Sequence, residues 1–143
     1  MESEHLTNLH PLWALTGWAI AIAATSGVYL GAVGTGLVTP GAGEIAWVGI
    51  AMAAGFFAGG LFVGAQWSQA PVIHGAAITL FSVLAWFIGA LLVPGTFSDI
   101  VAPTPWILGL VLVQLVASVG GGWTGRRMRL GTGKASVQGG RSG

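Results

Sequence analysis

Four apolar stretches, each long enough to cross a bilayer, run through this chain with polar or proline-rich connections between them. A crossing helix needs about 20 predominantly apolar residues. The stretches at 11–38, 44–65, 71–93 and 105–123 are of that order. Pro11, Pro71 and Pro105 each open one of them, at the helical position where a missing N–H costs nothing. Thr104 stands before Pro105 as a suitable N-cap. Glu44 falls in the first turn of the second stretch, where a carboxylate favours the positive end of the helix dipole. Residues 39–43 read as a turn, and 66–70 as a tight uncharged one. The loop to Pro105, with Pro94, Asp99 and Pro103, is the longest connection and is expected to lie flat on the membrane surface. The first stretch is longer than a crossing requires, and Gly31, Gly34 and Gly36 weaken its far end. The pattern predicts an all-α fold, a four-helix transmembrane bundle running up-down-up-down.

Small residues punctuate these helices. Gly55 and Gly59, then Gly60 and Gly64, recur at intervals of four. Lipid tails are as apolar as leucine, so helices in a membrane gain by close backbone approach, which this spacing permits. Gly121 and Gly125 repeat the pattern in the fourth stretch, and both copies end near a Trp, Trp67 and Trp123. The chain therefore reads as two hairpins whose second helices carry a packing seam. Gln114, Ser118, Gly121 and Gly125 share one face of the fourth helix. Gln114 there is read as an interhelical hydrogen-bonding group, worth roughly 1 kcal/mol. Gly27 and Gly31 offer a further close contact, and Thr25 and Ser26 can bond back to their own helix.

Composition moves the chain decisively into the bilayer. Only 6% of its 143 residues are charged and 54% are hydrophobic, with a mean hydropathy of +0.82; a soluble domain carries about 25% charged residues. There is no Cys, which removes disulfides, thiolate metal sites, Cys nucleophiles and Cys lipidation. The acidic start Met1-Glu2-Ser3-Glu4 lacks the positive charge of a signal peptide, so the first stretch is read as a retained span. All Lys and Arg follow residue 125, and all acids precede residue 100. Arg126, Arg127 and Arg129 flank the fourth span, which by the positive-inside rule puts both termini in the cytoplasm. Trp13, Trp67 and Trp123 then mark the inner interface, and Trp47 and Trp106 the outer one. The expected location is a prokaryotic cytoplasmic (inner) membrane. Residues 1–125 form one transmembrane domain, and 126–143 are read as a basic, then Gly/Ser-rich, flexible cytoplasmic tail.

Candidate chemistry is sparse. His10 and His74 fall near the inner interface, where a neutral imidazole could ligate a haem or chlorophyll-type pigment, or simply bond to water and loop carbonyls. The three arginines suit anionic lipid headgroups. No Asp, Glu, Lys or Arg lies in the interior of a span, where coupled transporters keep such a group. There is no Ser/His/Asp set, no carboxylate pair and no metal-ligand spacing, so the chain is read as not an enzyme and as needing no cofactor. Nothing points to nucleic acid.

The segments Gly59-Gly60-Leu61-Phe62-Val63-Gly64, His74-Gly75-Ala76 and Gly121-Gly122-Trp123-Thr124-Gly125-Arg126 resemble those of small bacterial four-helix integral membrane proteins of unknown function. The resemblance implies fold and topology and no activity. Thr96-Phe97-Ser98 is similar to a fragment of the fluoride-channel motif, but it sits in a Pro-flanked loop. Small multidrug-resistance transporters match in size, but they need a Glu inside span one, and here there is none. By elimination the chain is expected to be a non-catalytic membrane subunit, or an accessory or assembly protein, of a larger complex such as an energy-transducing one. Its partners would be lipids and other membrane subunits, met through small-residue seams. The alternatives are a small homo-oligomeric channel or transporter, and a pigment- or haem-contacting subunit.

Overall fold

A computed structural model describes residues 10–38, 42–67, 70–92 and 105–138. Among them are four helices and no strand: α1 (Pro11–Gly34), α2 (Ala42–Gln66), α3 (Pro71–Leu92) and α4 (Pro105–Gln138). All four are long and apolar enough to cross a membrane, as in an integral membrane protein. Residues 1–9, the turns at 39–41 and 68–69, the flat loop expected at 93–104 and residues 139–143 lie outside the described residues.

Two boundaries differ from the sequence reading for physical reasons. Helix α1 stops at Gly34, four residues before the apolar run does. Gly36 takes φ +74, its N–H bonds Val33 O at 3.0 Å and the Leu37 N–H bonds Ala32 O at 3.0 Å. That pair of bonds is a Schellman motif, which needs the left-handed conformation glycine adopts without strain. Helix α4, by contrast, continues through the segment read as a flexible tail and ends at Gln138. Arg, Met, Leu, Lys, Ala and Gln lose little side-chain freedom in a helix, and extending a helix already formed needs no new nucleus. At 34 residues and 1.5 Å each, α4 is about 51 Å long against a hydrocarbon core of about 30 Å.

The contacts between helices close an order α1–α2–α4–α3, with α3 returning to α1. Their directions follow from which residues meet. Gly17 faces Gly59 and Gly55 faces Thr25, so α1 and α2 are antiparallel. Gly60 faces Ser118 and Gly64 faces Gly122, so α2 and α4 are parallel. Pro71 faces Gly122 and Gly75 faces Val119, so α3 and α4 are antiparallel. The centre is filled by Ala21, Phe56, Val63 and Ile78, one or two from each of α1, α2 and α3, with Ala117 of α4 packed against them.

Candidate functional site

The glycines of α2 divide between two neighbours. A Cβ on Gly55 or Gly59 would meet the backbone of Ala21 or Gly17 on α1; one on Gly60 or Gly64 would meet the carbonyl oxygens of Ser118 or Gly122 on α4. Helix α4 answers in kind. A Cβ on Gly121 would meet Phe57 O, and one on Gly125 would meet Leu61 O. Gly60 is thus to Ser118 as Gly121 is to Phe57, and Gly64 is to Gly122 as Gly125 is to Leu61. The parallel α2–α4 crossing has the reciprocity of a two-fold axis. Every seam glycine of α2 is occupied inside the chain. Gly27 and Gly31 on α1 are not: a Cβ there would meet nothing within 4 Å.

Beside this crossing lies a buried hydroxyl cluster. Ser118 Oγ is 2.9 Å from Gly75 O and 3.2 Å from Thr79 Oγ1. Gly75 O is within reach of both hydroxyl donors, Ser118 Oγ at 2.9 Å and Thr79 Oγ1 at 3.3 Å, and the two hydroxyls can also bond to each other in either direction. Gly75 makes this possible, because its bare Cα lets α3 reach the backbone of Val119. One turn away, Gln114 is only 6% exposed. Its Nε2 donates to Met52 Sδ at 3.4 Å, while its Oε1 is buried with no partner. Thr25 Oγ1 is also buried and unpartnered, so it does not bond back to its own helix.

The two histidines meet, although no sequence spacing pairs them. His74 is 1% exposed. Its Nδ1 lies 2.8 Å from Ala70 O, an acceptor, so Nδ1 carries the proton. Nε2 then accepts the backbone N–H of His10 at 3.3 Å. Both ring nitrogens of a neutral imidazole are in use, and neither is open to a metal. The His10 ring packs edge-on against Trp67, with centroids 4.6 Å apart. Among the described residues no group of three or more His, Asp or Glu could hold a metal ion.

The three arginines part company. Arg129 Nη1 donates to Gln66 O, joining α4 to the last turn of α2, where helix carbonyls lack intrahelical donors. Arg127 places its guanidinium 5.6 Å from the Trp123 ring centroid. Arg126 is half-buried. Sequence reasoning missed the His10–His74 bond and the Arg129 cap, since both join residues far apart in the chain with no periodic signal. Compared with known protein families, curated proteins and solved structures, the chain matches none.

Proposed function

We propose that the chain is a non-catalytic integral membrane subunit or accessory protein of a larger membrane complex, docked through the end of the bundle away from the histidines. The observation that carries this reading is α3 between residues 84 and 89, where every residue is exposed. A helix lying against its own bundle hides a stripe of residues in each turn; this one passes more than a full turn of 3.6 residues hiding none. Leu84, Trp86, Phe87 and Ile88 stand uncovered there. Nearby on the same end of the bundle, Gly27 and Gly31 leave open space over α1. Lipid covers any apolar face, but bare glycine backbone suits the close approach of another helix. In this reading the Gly-x-x-x-Gly pairs of α2 and α4 assemble the bundle in a prokaryotic inner membrane with both termini cytoplasmic.

The interior supports a role without chemistry. Its largest fully buried side chains are Phe56, Ile78, Val63, Pro71, a His74 with both ring nitrogens hydrogen-bonded, and Ser118, whose hydroxyl is bonded to Gly75 O. The test is purification from native membranes in mild detergent. The expected result is a species well above 14.5 kDa containing other polypeptides. A monomer or pure homo-oligomer with no partner overturns the reading.

One observation favours a second reading, a small homo-oligomeric channel or transporter: the unpartnered Gln114 Oε1 deep in a span. A liposome flux assay separates the two. The pigment or haem alternative would have to use the ring of His10, and an absorption spectrum without a Soret or long-wavelength band ends it.

A further inference from the structure

Beside the α2–α4 crossing an apolar groove of about 340 Å³ opens outward, lined by Ala53 of α2 and by Leu112, Val113, Val116 and Ala117 of α4, of which Ala117 also packs against the core. Val116 is 71% exposed. The groove does not stop at these residues. Val116, Gly120, Trp123 and Arg127 follow at spacings of four, three and four, which keeps them on one helical face. Gly120 leaves that face bare, since a Cβ there would meet nothing within 4 Å. Trp123 is half-exposed, and the exposed Arg127 sits over its ring.

We infer that this strip is a binding site for one anionic phospholipid, with an acyl chain in the groove and the phosphate at Arg127. Three features carry it. The first is charge: the strip ends in a cation flanked by Arg126, at the level where a polybasic segment attracts anionic headgroups. The second is length. Eleven residues separate Val116 from Arg127, about 16 Å of helix, and half a hydrocarbon core is about 15 Å. A chain anchored at Arg127 therefore reaches the groove near the bilayer midplane. The third is the interfacial Trp123, whose amphipathic ring belongs at the glycerol level between them. Arg129 is not needed, being already bonded to Gln66 O.

The experiment is native mass spectrometry of the full chain in mild detergent, titrated with phosphatidylglycerol or phosphatidylcholine of the same acyl chains. Wild type should retain one phosphatidylglycerol about fivefold more tightly than phosphatidylcholine, the effect of roughly one well-placed cation. Arg127→Gln should erase that preference and Arg127→Lys should keep most of it. Val116→Trp enlarges a side chain that is 71% exposed, fills the groove from its open side, and should weaken both lipids together. Unchanged melting in detergent checks that each variant is folded. Equal retention of the two lipids by wild type overturns the inference. So does an indifferent Val116→Trp, or displacement by millimolar inorganic phosphate, which would leave a headgroup-only site. Phosphatidylglycerol excluded from a complex that retains a partner helix in the groove overturns it too. The lipid outcomes leave the partner-subunit reading untouched, since that reading rests on the other end of the bundle; a partner helix found in the groove would instead keep the subunit reading and move its docking face.

Discussion

At the end of the bundle that holds His10, Trp67 and His74, bonds run between helices: His10 to His74, Arg129 to Gln66, and Ser118 to Gly75 nearer the middle. Toward the opposite end the cross-helix bonds among the described residues are Tyr29 Oη to Glu44 Oε1 at 3.0 Å and, nearer the middle, Gln114 Nε2 to Met52 Sδ at 3.4 Å. Glycines are common at both ends and, Gly120 apart, do opposite things. Gly60, Gly64, Gly121 and Gly125 lie against backbone, while Gly27, Gly31, Gly89 and Gly109 face open space. The difference teaches that a glycine pair is only half of a contact. Gly60 meets a partner because Ser118 and Gly121 present bare or small surface opposite it; no described helix presents such a face to Gly27.

The sharpest way to break this comparison is to put the same side chain at both ends. Gly60→Leu drives a branched side chain into the Ser118 carbonyl, which is backbone and cannot turn aside. The expected result is loss of the folded monodisperse species in detergent, a cost above about 4 kcal/mol and in the range tied to gross overpacking. A variant that melts like wild type would mean that α2 and α4 do not approach as described.

The next effect comes from the histidine end. His74→Ala leaves the His10 N–H without its acceptor and removes one of the two donors to Ala70 O, the backbone N–H of residue 74 remaining, and it opens a cavity in a fully buried position. The expected cost is about 2–4 kcal/mol, read as a lowered denaturation midpoint. A loss under about 0.5 kcal/mol, the level of an ordinary surface change, would show that the histidine is not a structural tie.

Much of the fold was legible beforehand, because span length and the helix-opening prolines are local signals. Pro11, Pro71 and Pro105 begin three helices as read. The end of α1 was harder: apolar residues continue past Gly34, and only the Schellman geometry at Gly36 shows where the helix stops. The reach of α4 was not read from the sequence because Gly131, Thr132 and Gly133 invited a coil reading, while Leu130 before them and Lys134 and Ala135 after them are good helix formers, attached to a helix already formed. At the site, Gln114 and Ser118 stood out as polar residues in an apolar run. That His74 would meet His10, or that α2 would divide its glycines between two partners, depends on tertiary packing that one-dimensional spacing cannot encode.

Gln114 sharpens the comparison from the middle of the bundle. Its Oε1 is a buried acceptor without a donor, and such a group costs about 1–3 kcal/mol. Gln114→Met keeps the shape and removes the orphan, and the expected result is a protein at least as stable as wild type in detergent. Destabilisation together with lost flux in liposomes would instead assign the amide to a ligand, in favour of the channel or transporter reading.

The smallest effect on the fold should come from Gly31→Leu, the counterpart of Gly60→Leu at the open end. The position is helical, with no described atom within 4 Å of the new Cβ, and leucine is the better helix former by up to about 1 kcal/mol. The melting temperature in detergent should therefore hold or rise slightly. Recovery of partner polypeptides from native membranes should fall, because the leucine fills the space that the Gly27–Gly31 face keeps clear for another helix. The two readouts decide different things. A loss of stability would mean that this face is packed within the chain, and the contrast between the two ends would collapse. Unchanged stability with unchanged partner recovery would mean that only lipid lies against the glycines, and the docking face would have to be sought on α3 alone, where Leu84, Trp86 and Phe87 can be tested in the same way.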